Sequence, residues 1–527
     1  MAVSVTTDLT AITTAESTTD GGTFYRLNGT SNANPAQDLD AYIQGTGCVA
    51  SKMGATIGTT NTGGHFNHTA TFDLTGKHIY HWRQIVTAGN MLTKANLGVT
   101  LGLTNTSTTS TTTWSTTNFK QWFLDGSDTV KAAEGWKCYV IDPASTANAS
   151  AGTLTLATVK NVGFICRQSS AVTATVSNQF VDAVRMGTGV TASTTSAGDT
   201  VTLANIYSTD ATPTNSWGIV TQSAGVYYGA GKINVGLSGQ TNTCSFTDAD
   251  QVLVWRNYPV SSSLYAFNIV GNASFATTLQ LTGWVVRGQA SKTWDIVCGT
   301  GGVFKGYGCA FSNIQSATLS TGSLLNGCSV SASGTIEVNG ATLTACTFSA
   351  HIATQLRVDS SAEMASIISN SFTSSGLGHA IEITAPGTYT FSALTFAGYA
   401  STNGSTGNEA IYVNIASGTV TLNISGGSTP TYRTAGATVI VVSSATKTFT
   451  GLPVGTEVRV RRGSNTLATD GNVTSGSYVF SYTPDSKAAF VQFTLPGTVF
   501  ENIDITLNST NQEFPVTSSP DPSYTAS

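Results

Sequence analysis

A short motif recurs at nearly constant intervals in the third quarter of this 527-residue chain. Three copies have a cysteine at their centre, with the cysteines 19 and 18 residues apart: Gly308-Cys309-Ala310-Phe311, Gly327-Cys328-Ser329-Val330 and Ala345-Cys346-Thr347-Phe348. Looser copies are centred on Trp284, Asn370 and Leu394. One coil of short strands cannot bury its inward side chains alone, so coils of about this length stack on one another. The repeat therefore predicts a parallel β-helix.

The recurring cysteines indicate what occupies the interior of the coils. Stacked coils lie about 4.8 Å apart, so Cys309, Cys328 and Cys346 would form a ladder of small apolar side chains. A disulfide or a metal role is the alternative. The eight cysteines include no Cys-x-x-Cys pair, and we interpret the chain as a reduced protein made in a cytoplasm.

The composition agrees with a β-rich fold. Charged residues make up 10% of the chain, against roughly 25% in ordinary globular domains. Thr and aromatic residues suit strands while Gly and Asn suit turns, so helix should be scarce. A net charge of −5 argues against nucleic acid or an anionic membrane as the general partner. We see neither a secretory signal nor an apolar stretch of 18 residues, and predict no membrane insertion.

Three regions with different strand patterns divide the chain. Residues 1–205 hold aromatic-rich strand candidates between polar loops and predict a β-sandwich of jelly-roll type. Residues 206–445 carry the stacked pattern and predict a right-handed parallel β-helix. Residues 446–510 alternate apolar with polar residues and predict a small β-sandwich, while residues 511–527 predict a tail. The expected fold class is all-β.

Three stretches carry a resemblance to a known group: Tyr399–Asn414, Val5–Thr10 and Gly135–Val140. They resemble uncharacterised bacteriophage virion structural proteins with a β-helical body, and the resemblance covers most of residues 1–445. The carboxyl-terminal region looks like the small β-sandwiches that cap phage fibres. The resemblance implies a virion protein that is assembled in the host cytoplasm and contacts other virion proteins.

The function that we expect is a non-enzymatic projecting appendage, similar to a tail fibre or spike, that attaches the virion to the host surface. Its partners would be host-surface glycans, and a homotrimer follows from the likeness to fibres and from the need to protect strand edges. One alternative is a capsid decoration or cement protein. Another is a tailspike depolymerase that cleaves surface polysaccharide. No cofactor is expected.

Two His-x-x-His pairs, His65/His68 and His78/His81, are the candidate metal ligands. Four imidazoles could bind zinc or a similar metal. A spacing of three on a strand sends the two rings to opposite faces, so a site would require a loop. We therefore favour surface or interface histidines and predict no metal.

The candidate catalytic residues, for the depolymerase alternative, are Asp359 and Glu382. They are 23 residues apart, which is about one coil. If they were stacked, one carboxyl group could have a raised pKa and act as an acid. Two solvated turn residues are the alternative that we favour.

Four tryptophans of the first region are candidates for stacking on sugar rings: Trp82, Trp114, Trp122 and Trp136. Core packing is the commoner role of a tryptophan in a strand, and we favour it for each of them. The chain has no Gly-x-Ser-x-Gly motif with plausible partners, no phosphate-binding loop and no His-Glu-x-x-His motif.

Overall fold

A computed structural model gives the architecture of the chain. It describes residues 3–27, 34–51, 61–86, 90–93, 96, 98–109, 114, 117–125, 135–169, 179–194, 200–210, 219–236, 245–246, 249–255, 264–271, 274, 276–288, 293–404, 407–482, 487–507 and 511–525. The chain forms two compact units, residues 1–323 and 324–527.

The first unit begins with two antiparallel sheets. One contains Thr10–Thr13, Ala36–Asp38, Cys48–Ser51, His78–Ile85, Lys137–Ile141 and Gln179–Gly187. The other contains Gly22–Leu27, Thr62–Phe72, Val99–Thr104, Phe119–Asp125, Ala149–Ala151 and Val159–Cys166, and a 3₁₀ turn spans Leu156–Thr158. One hydrophobic cluster, including Phe66, Trp122 and Phe164, draws its residues from strands of both sheets. This is a β-sandwich, as the sequence predicts.

The rest of the first unit consists of short strands that are mostly parallel. One set contains Val3–Thr7, Val190–Thr194, Ile233–Val235, Ala266–Ile269, Trp294–Cys298 and Ile314–Thr318. A second contains Thr200–Val201, Ser245–Phe246, Thr277–Thr282 and Gly302–Tyr307. A third contains Val220–Ser223, Val226–Gly229, Val252–Trp255, Val285–Gly288 and Ala310–Ser312. A short helix spans Leu203–Asp210.

The second unit starts with the same stacked pattern. We call its first set of parallel strands the lateral sheet: Thr335–Glu337, Leu356–Val358, Ile381–Ile383, Ile411–Val413 and Tyr432–Thr434. The other strands are Leu324–Asn326, Ser329–Ser331, Thr342–Thr344, Thr347–Ser349, Ile367–Ile368, Ser371–Thr373, Gly387–Ala397, Thr419–Gly427 and Thr438–Thr450. A one-turn helix spans Ser361–Ala365.

The motif copies mark one corner of each coil. The residue after each centre pairs in register with its counterpart in the next coil, as in Thr347 with Ser371 and Ser371 with Thr395. The residue before each centre has a positive φ, among them Gly327 at 63° and Ala345 at 53°. Glycine adopts this conformation without strain, which explains why Gly precedes Cys in two of the three strongest copies.

Aromatic and amide side chains stack inside the coils of the second unit. Phe372 lies between Phe348 and Phe396, with ring centroids 5.0 and 5.4 Å away. The buried Asn370 accepts a hydrogen bond from the Cys346 N–H at 2.7 Å and donates one to a main-chain carbonyl at 2.8 Å. Its polar atoms are thus satisfied, so burial of the amide carries little penalty.

The second unit ends in a small β-sandwich that shares a strand with the β-helix. The strand Thr438–Thr450 pairs in parallel with Thr419–Gly427 and then, from Ala445, antiparallel with Ser477–Tyr482. The other strands are Glu457–Arg462, Asn465–Asp470, Ala488–Thr494, Thr498–Phe500, Ile503–Thr506, Gln512–Pro515 and Ser518–Pro520. A cluster that includes Phe449, Val460 and Val491 forms the core.

The predicted fold class is confirmed: the chain is all-β, with a sandwich, a parallel β-helix body and a second small sandwich. Helix is scarce, and the seven cysteines in the described part of the chain are buried. The boundaries at residues 205, 445 and 510 stay predictions, and the stretch predicted as a tail holds two short strands, Gln512–Pro515 and Ser518–Pro520. No helix within the described part of the chain is long and apolar enough to span a membrane.

Candidate functional site

The outward face of the lateral sheet carries a column of polar side chains. Strand register places Glu337, Arg357, Glu382, Tyr412 and Arg433 side by side in consecutive coils. In the first four of these strands the residues on either side are aliphatic and buried, so the alternation of a strand puts the polar ones outside. Over five strands at about 4.8 Å each, the column is about 19 Å long.

Arg357 joins the two glutamates of this column. Its Nη1 donates to Glu337 Oε1 at 2.5 Å and its Nε donates to Glu382 Oε2 at 3.2 Å. The other oxygen of Glu382 accepts a hydrogen bond from Asn414 Nδ2 at 2.7 Å. The Glu382 side chain is 7% exposed. Its carboxylate is therefore held in one orientation by two donors.

The predicted pair Asp359 and Glu382 lies on this face but is not directly stacked. Arg357 is the in-register neighbour of Glu382, so Asp359 stands one coil away and two residues further along. Strand spacing and rise give a separation of about 8 Å between the two Cα atoms. Direct stacking is thus corrected to a diagonal relation, because the coil from Arg357 to Glu382 is 25 residues long rather than 23.

A second carboxyl group, Glu363, lies next to Asp359. Glu363 stands in the one-turn helix Ser361–Ala365, where the Ser360 side chain accepts its N–H at 3.4 Å. Glu363 Oε2 in turn accepts the Asp359 N–H at 2.9 Å. Glu363 is buried while Asp359 is exposed. The helix therefore brings two carboxyl groups together at the edge of the lateral sheet.

The surroundings of Glu363 favour its protonated form. Burial raises the pKa of Glu363 above its ordinary value, and the neighbouring Asp359 carboxyl raises it further by charge repulsion and by a side-chain hydrogen bond. Hydrogen bonds from main-chain N–H groups act in the opposite direction. Burial of the phenol, together with these two carboxyl groups, also raises the pKa of Tyr389. A carboxylic acid that keeps its proton can serve as a general acid.

Sequence reasoning named Asp359 and Glu382 as candidates and did not single out Glu363 or Arg357. The signal for Glu363 was present in Ser360-x-x-Glu363, the pattern of a helix capping box. Such a glutamate usually satisfies main-chain N–H groups, and here it does so for Asp359. The charge repulsion with Asp359 appears only once the turn has folded.

Aromatic and basic groups adjoin these acids along the column. The Tyr412 ring stacks on His379 at 5.0 Å, and the Arg433 guanidinium carbon lies 5.5 Å from its centre. His379 Nδ1 contacts the Glu409 carbonyl oxygen at 2.6 Å. These contacts leave Tyr412 partly exposed at the face. The column therefore presents two acidic groups with an arginine between them, then an aromatic group and a second arginine.

The four candidate metal-binding histidines lie within strands of the first sandwich. His65 contacts Asn161 Oδ1 at 3.1 Å, and His81 stacks on Tyr139 at 5.3 Å; both are fully buried. His68 and His78 lie on the same two strands, so neither pair has the loop that a metal site would require. Among the described residues, no group of three or more His, Cys, Asp or Glu side chains is placed to hold a metal ion.

The four candidate tryptophans differ in exposure. Trp82 and Trp114 are each 4% exposed and Trp122 is fully buried, with its Nε1 donating to Ser145 Oγ at 3.0 Å. A buried ring offers no face to a sugar, so these three are packing residues. Trp136 is half-buried against Phe180 and keeps a partly open ring. Only Trp136 remains a candidate for stacking on a sugar.

Comparison with known proteins identifies no family for this chain and finds three similar solved structures. No protein-family model and no curated protein matches the chain. Three solved structures are similar, all catalytic domains of GH87 α-1,3-glucanases, in complex with tetrasaccharides for one and with nigerose for two. Each match covers 80% of this chain and 85% of the other, with identities of 11%, 12% and 9% and TM-scores of 0.22, 0.17 and 0.16.

The prediction of a non-enzymatic protein finds no support here, since the similar structures are all catalytic domains of enzymes. At these TM-scores the likeness gives this chain neither a reaction nor a substrate. Both have to be argued from the chain's own side chains.

Proposed function

We propose that this chain cleaves polysaccharide on the outward face of its lateral sheet. The observation that carries the proposal is the contact between Asp359 and Glu363, with burial and charge repulsion raising the pKa of Glu363. Hydrolysis of a glycosidic bond uses a carboxyl group that donates a proton and a second carboxylate across the bond. Glu363, supported by Asp359, is the acid, and Glu382 is the carboxylate.

The shape of the site supports a polymer rather than a small molecule as substrate. On the lateral sheet polar groups follow one another over about 19 Å, and Glu337 and Arg357 among them are partly exposed. Small ligands are usually enclosed in concave pockets. An extended row of hydrogen-bonding groups instead offers successive contacts to a chain of hydroxyl-rich units. A polysaccharide fits this description.

The roles of the carboxyl groups follow from their placement. Glu363 donates its proton to the glycosidic oxygen as the bond to the anomeric carbon breaks. Glu382, held by Arg357 and Asn414, removes a proton from the water whose oxygen forms the new bond.

The test is release of new reducing ends from a panel of polysaccharides that includes bacterial capsule, lipopolysaccharide and α-1,3-glucan. We expect the unaltered chain to cleave at least one of them. Glu363→Gln should lower the rate by about 100-fold to 10,000-fold, the range for loss of a general acid. Glu382→Gln should have an effect of similar size, since it removes the base.

Glu501→Gln is the matched control, because Glu501 is exposed in the small sandwich, outside the site. It should cleave as fast as the unaltered chain. If no polysaccharide in the panel is cleaved, or if Glu363→Gln and Glu501→Gln cleave equally, the proposal is overturned. Thermal unfolding of each variant shows whether a loss of rate reflects the site or the fold.

Attachment to a host as part of a phage virion is the second candidate. The resemblance of Tyr399–Asn414 and two further stretches to virion proteins favours it, and the small sandwich at the end of the β-helix would suit the tip of an appendage. Its location on a virion, its trimeric state and its virion partners remain proposals. Electron micrographs of virions labelled with an antibody against residues 446–510 test it. Label on the tail favours attachment, and label over the head favours decoration.

A further inference from the structure

The first unit has an open cleft on its third set of strands that the lateral-sheet site does not use. It has a volume of about 370 Å³ and is lined by Val226, Tyr228, Val254, Arg287, Gly288, Ser312 and Asn313. Pockets of about 300–1,000 Å³ are the usual size for small ligands. The cleft is therefore large enough for a bound group such as a sugar ring.

Register explains how these side chains come together. Val254 pairs with Tyr228 on one side and Arg287 on the other, and Arg287 pairs with Ser312 in the next coil. They share the outward face, because the residues next to them, such as Trp255, are buried. The stacking of coils thus places a phenol ring, a guanidinium group and a hydroxyl group within three strand spacings of about 4.8 Å.

Arg287 lacks the acidic neighbours that Arg357 has in the second unit. Arg357 stands between Glu337 and Glu382 and pairs with both. Arg287 stands in register between Val254 and Ser312, and within the described part of the chain no carboxylate forms an ion pair with it. It is exposed at the cleft. Its five N–H donors are consequently available to an anion from outside.

We propose that this cleft binds a carboxylate-bearing sugar unit of an acidic polysaccharide. Arg287 pairs with the carboxylate through two parallel N–H···O bonds, a geometry that a planar guanidinium group favours. Tyr228 packs against the apolar face of the ring, and Ser312 and Asn313 bind ring hydroxyl groups. A simple anion would need only the arginine. The phenol ring and the hydroxyl-binding groups around it are what favour an acidic sugar.

This inference does not depend on cleavage at the lateral sheet. It concerns binding in the first unit, so either site could fail alone. A chain that binds acidic sugar but cleaves nothing keeps this proposal and overturns the hydrolase. A chain that cleaves while Arg287→Gln leaves acidic-sugar binding unchanged overturns this proposal alone.

Calorimetric titration of the full-length Glu363→Gln chain tests the site without hydrolysis of the ligand. The probes are oligogalacturonate, oligoglucuronate and sialyllactose, with maltotriose as the neutral sugar and acetate and inorganic phosphate as simple anions. We expect at least one acidic sugar to bind at least tenfold more tightly than maltotriose, acetate or phosphate. Its affinity should fall as salt rises, because an exposed ion pair is screened.

Substitutions in the same chain identify the residues. Arg287→Gln should weaken acidic-sugar binding at least tenfold, Arg287→Lys should weaken it less, and Tyr228→Ala should weaken it by loss of the stacking surface. Arg459→Gln, at an exposed arginine of the small sandwich, should change nothing. Absence of binding to every acidic sugar, equal binding of phosphate, or unchanged binding by Arg287→Gln overturns the proposal.

Discussion

His351, a buried residue of the β-helix, links the stability of the protein to pH. Its side chain is fully buried, and burial together with the charge of His379 lowers its pKa to about 4. Its Nε2 contacts the Tyr399 hydroxyl oxygen at 3.5 Å. Because the folded pKa is depressed, the folded state resists protonation. The contribution of His351 to the free energy of unfolding is then fully present above about pH 6.5 and is lost as the pH falls toward 4.

We predict that His351→Gln removes most of this dependence. A shift from 6.5 to about 4 corresponds to about 3 kcal/mol of unfolding free energy lost on acidification. Urea unfolding at pH 7.0, 5.5 and 4.5 measures it. At pH 7.0 the variant should have a lower free energy of unfolding than the unaltered chain. Below pH 7.0 its free energy of unfolding should change less with pH. A profile that stays as steep would show that other groups govern acid unfolding.

At the residue scale, spacing in the sequence singles out candidate residues but does not give their register or their burial. Asp359 and Glu382 were found because acids are rare in this chain and one coil separates them. Stacking was only one alternative beside two solvated turn residues; in the structure Glu382 is buried and pairs with Arg357, so Asp359 lies diagonal to it. Glu363 was missed because its raised pKa depends on burial, which no local pattern reports.

At the scale of the coil, the left-handed residue at each corner sets a local backbone cost. Gly327 and Ala345 occupy equivalent positions with φ of 63° and 53°. A Cβ atom added at Gly327 would meet nothing within 4 Å, so a substitution there tests backbone strain alone. Residues other than glycine are strained in this conformation by about 1–2 kcal/mol.

We predict opposite effects for two reciprocal substitutions. Gly327→Ala should lower the unfolding free energy by about 1 kcal/mol, whereas Ala345→Gly should raise it by about 0.5 kcal/mol after the added chain entropy. Thermal unfolding of the two variants side by side measures both. If both substitutions changed the free energy of unfolding in the same direction, packing and not the corner conformation would dominate.

The coil repeat could be predicted because its centres follow directly from the register of the strands. The centres Cys309, Cys328, Cys346 and Asn370 each precede a strand directly, and the first residue of such a strand pairs with the next copy, as Thr347 does with Ser371. The lateral sheet could not be placed in the same way. Its strands are three residues long and are separated by turns of unequal length. The pairing of Arg357 with Glu382 therefore produces no regular spacing in the sequence.

At the scale of the whole molecule, the distribution of tryptophan separates the two compact units. All eight tryptophans lie between residues 82 and 294, within the unit 1–323. Fluorescence therefore reports on that unit, whereas circular dichroism reports on strands throughout the chain.

We predict that the two signals have different midpoints in guanidinium chloride, because separate compact units need not unfold together. The second unit has no tryptophan, so an added tryptophan at the exposed Tyr524 supplies a control probe there. Tyr524→Trp should report the second transition. Coincident curves from all probes would contradict separate unfolding and show one cooperative system.

The strand Thr438–Thr450 has a mechanical consequence. Because one continuous strand serves both the last coil and the small sandwich, a load applied to the sandwich passes into the coil through peptide bonds rather than through a docked interface. Pulling along that strand loads its parallel hydrogen bonds with Thr419–Gly427 in shear, all at once. We expect force spectroscopy of the second unit to show no early detachment of the sandwich, because the sandwich and the last coil share one strand.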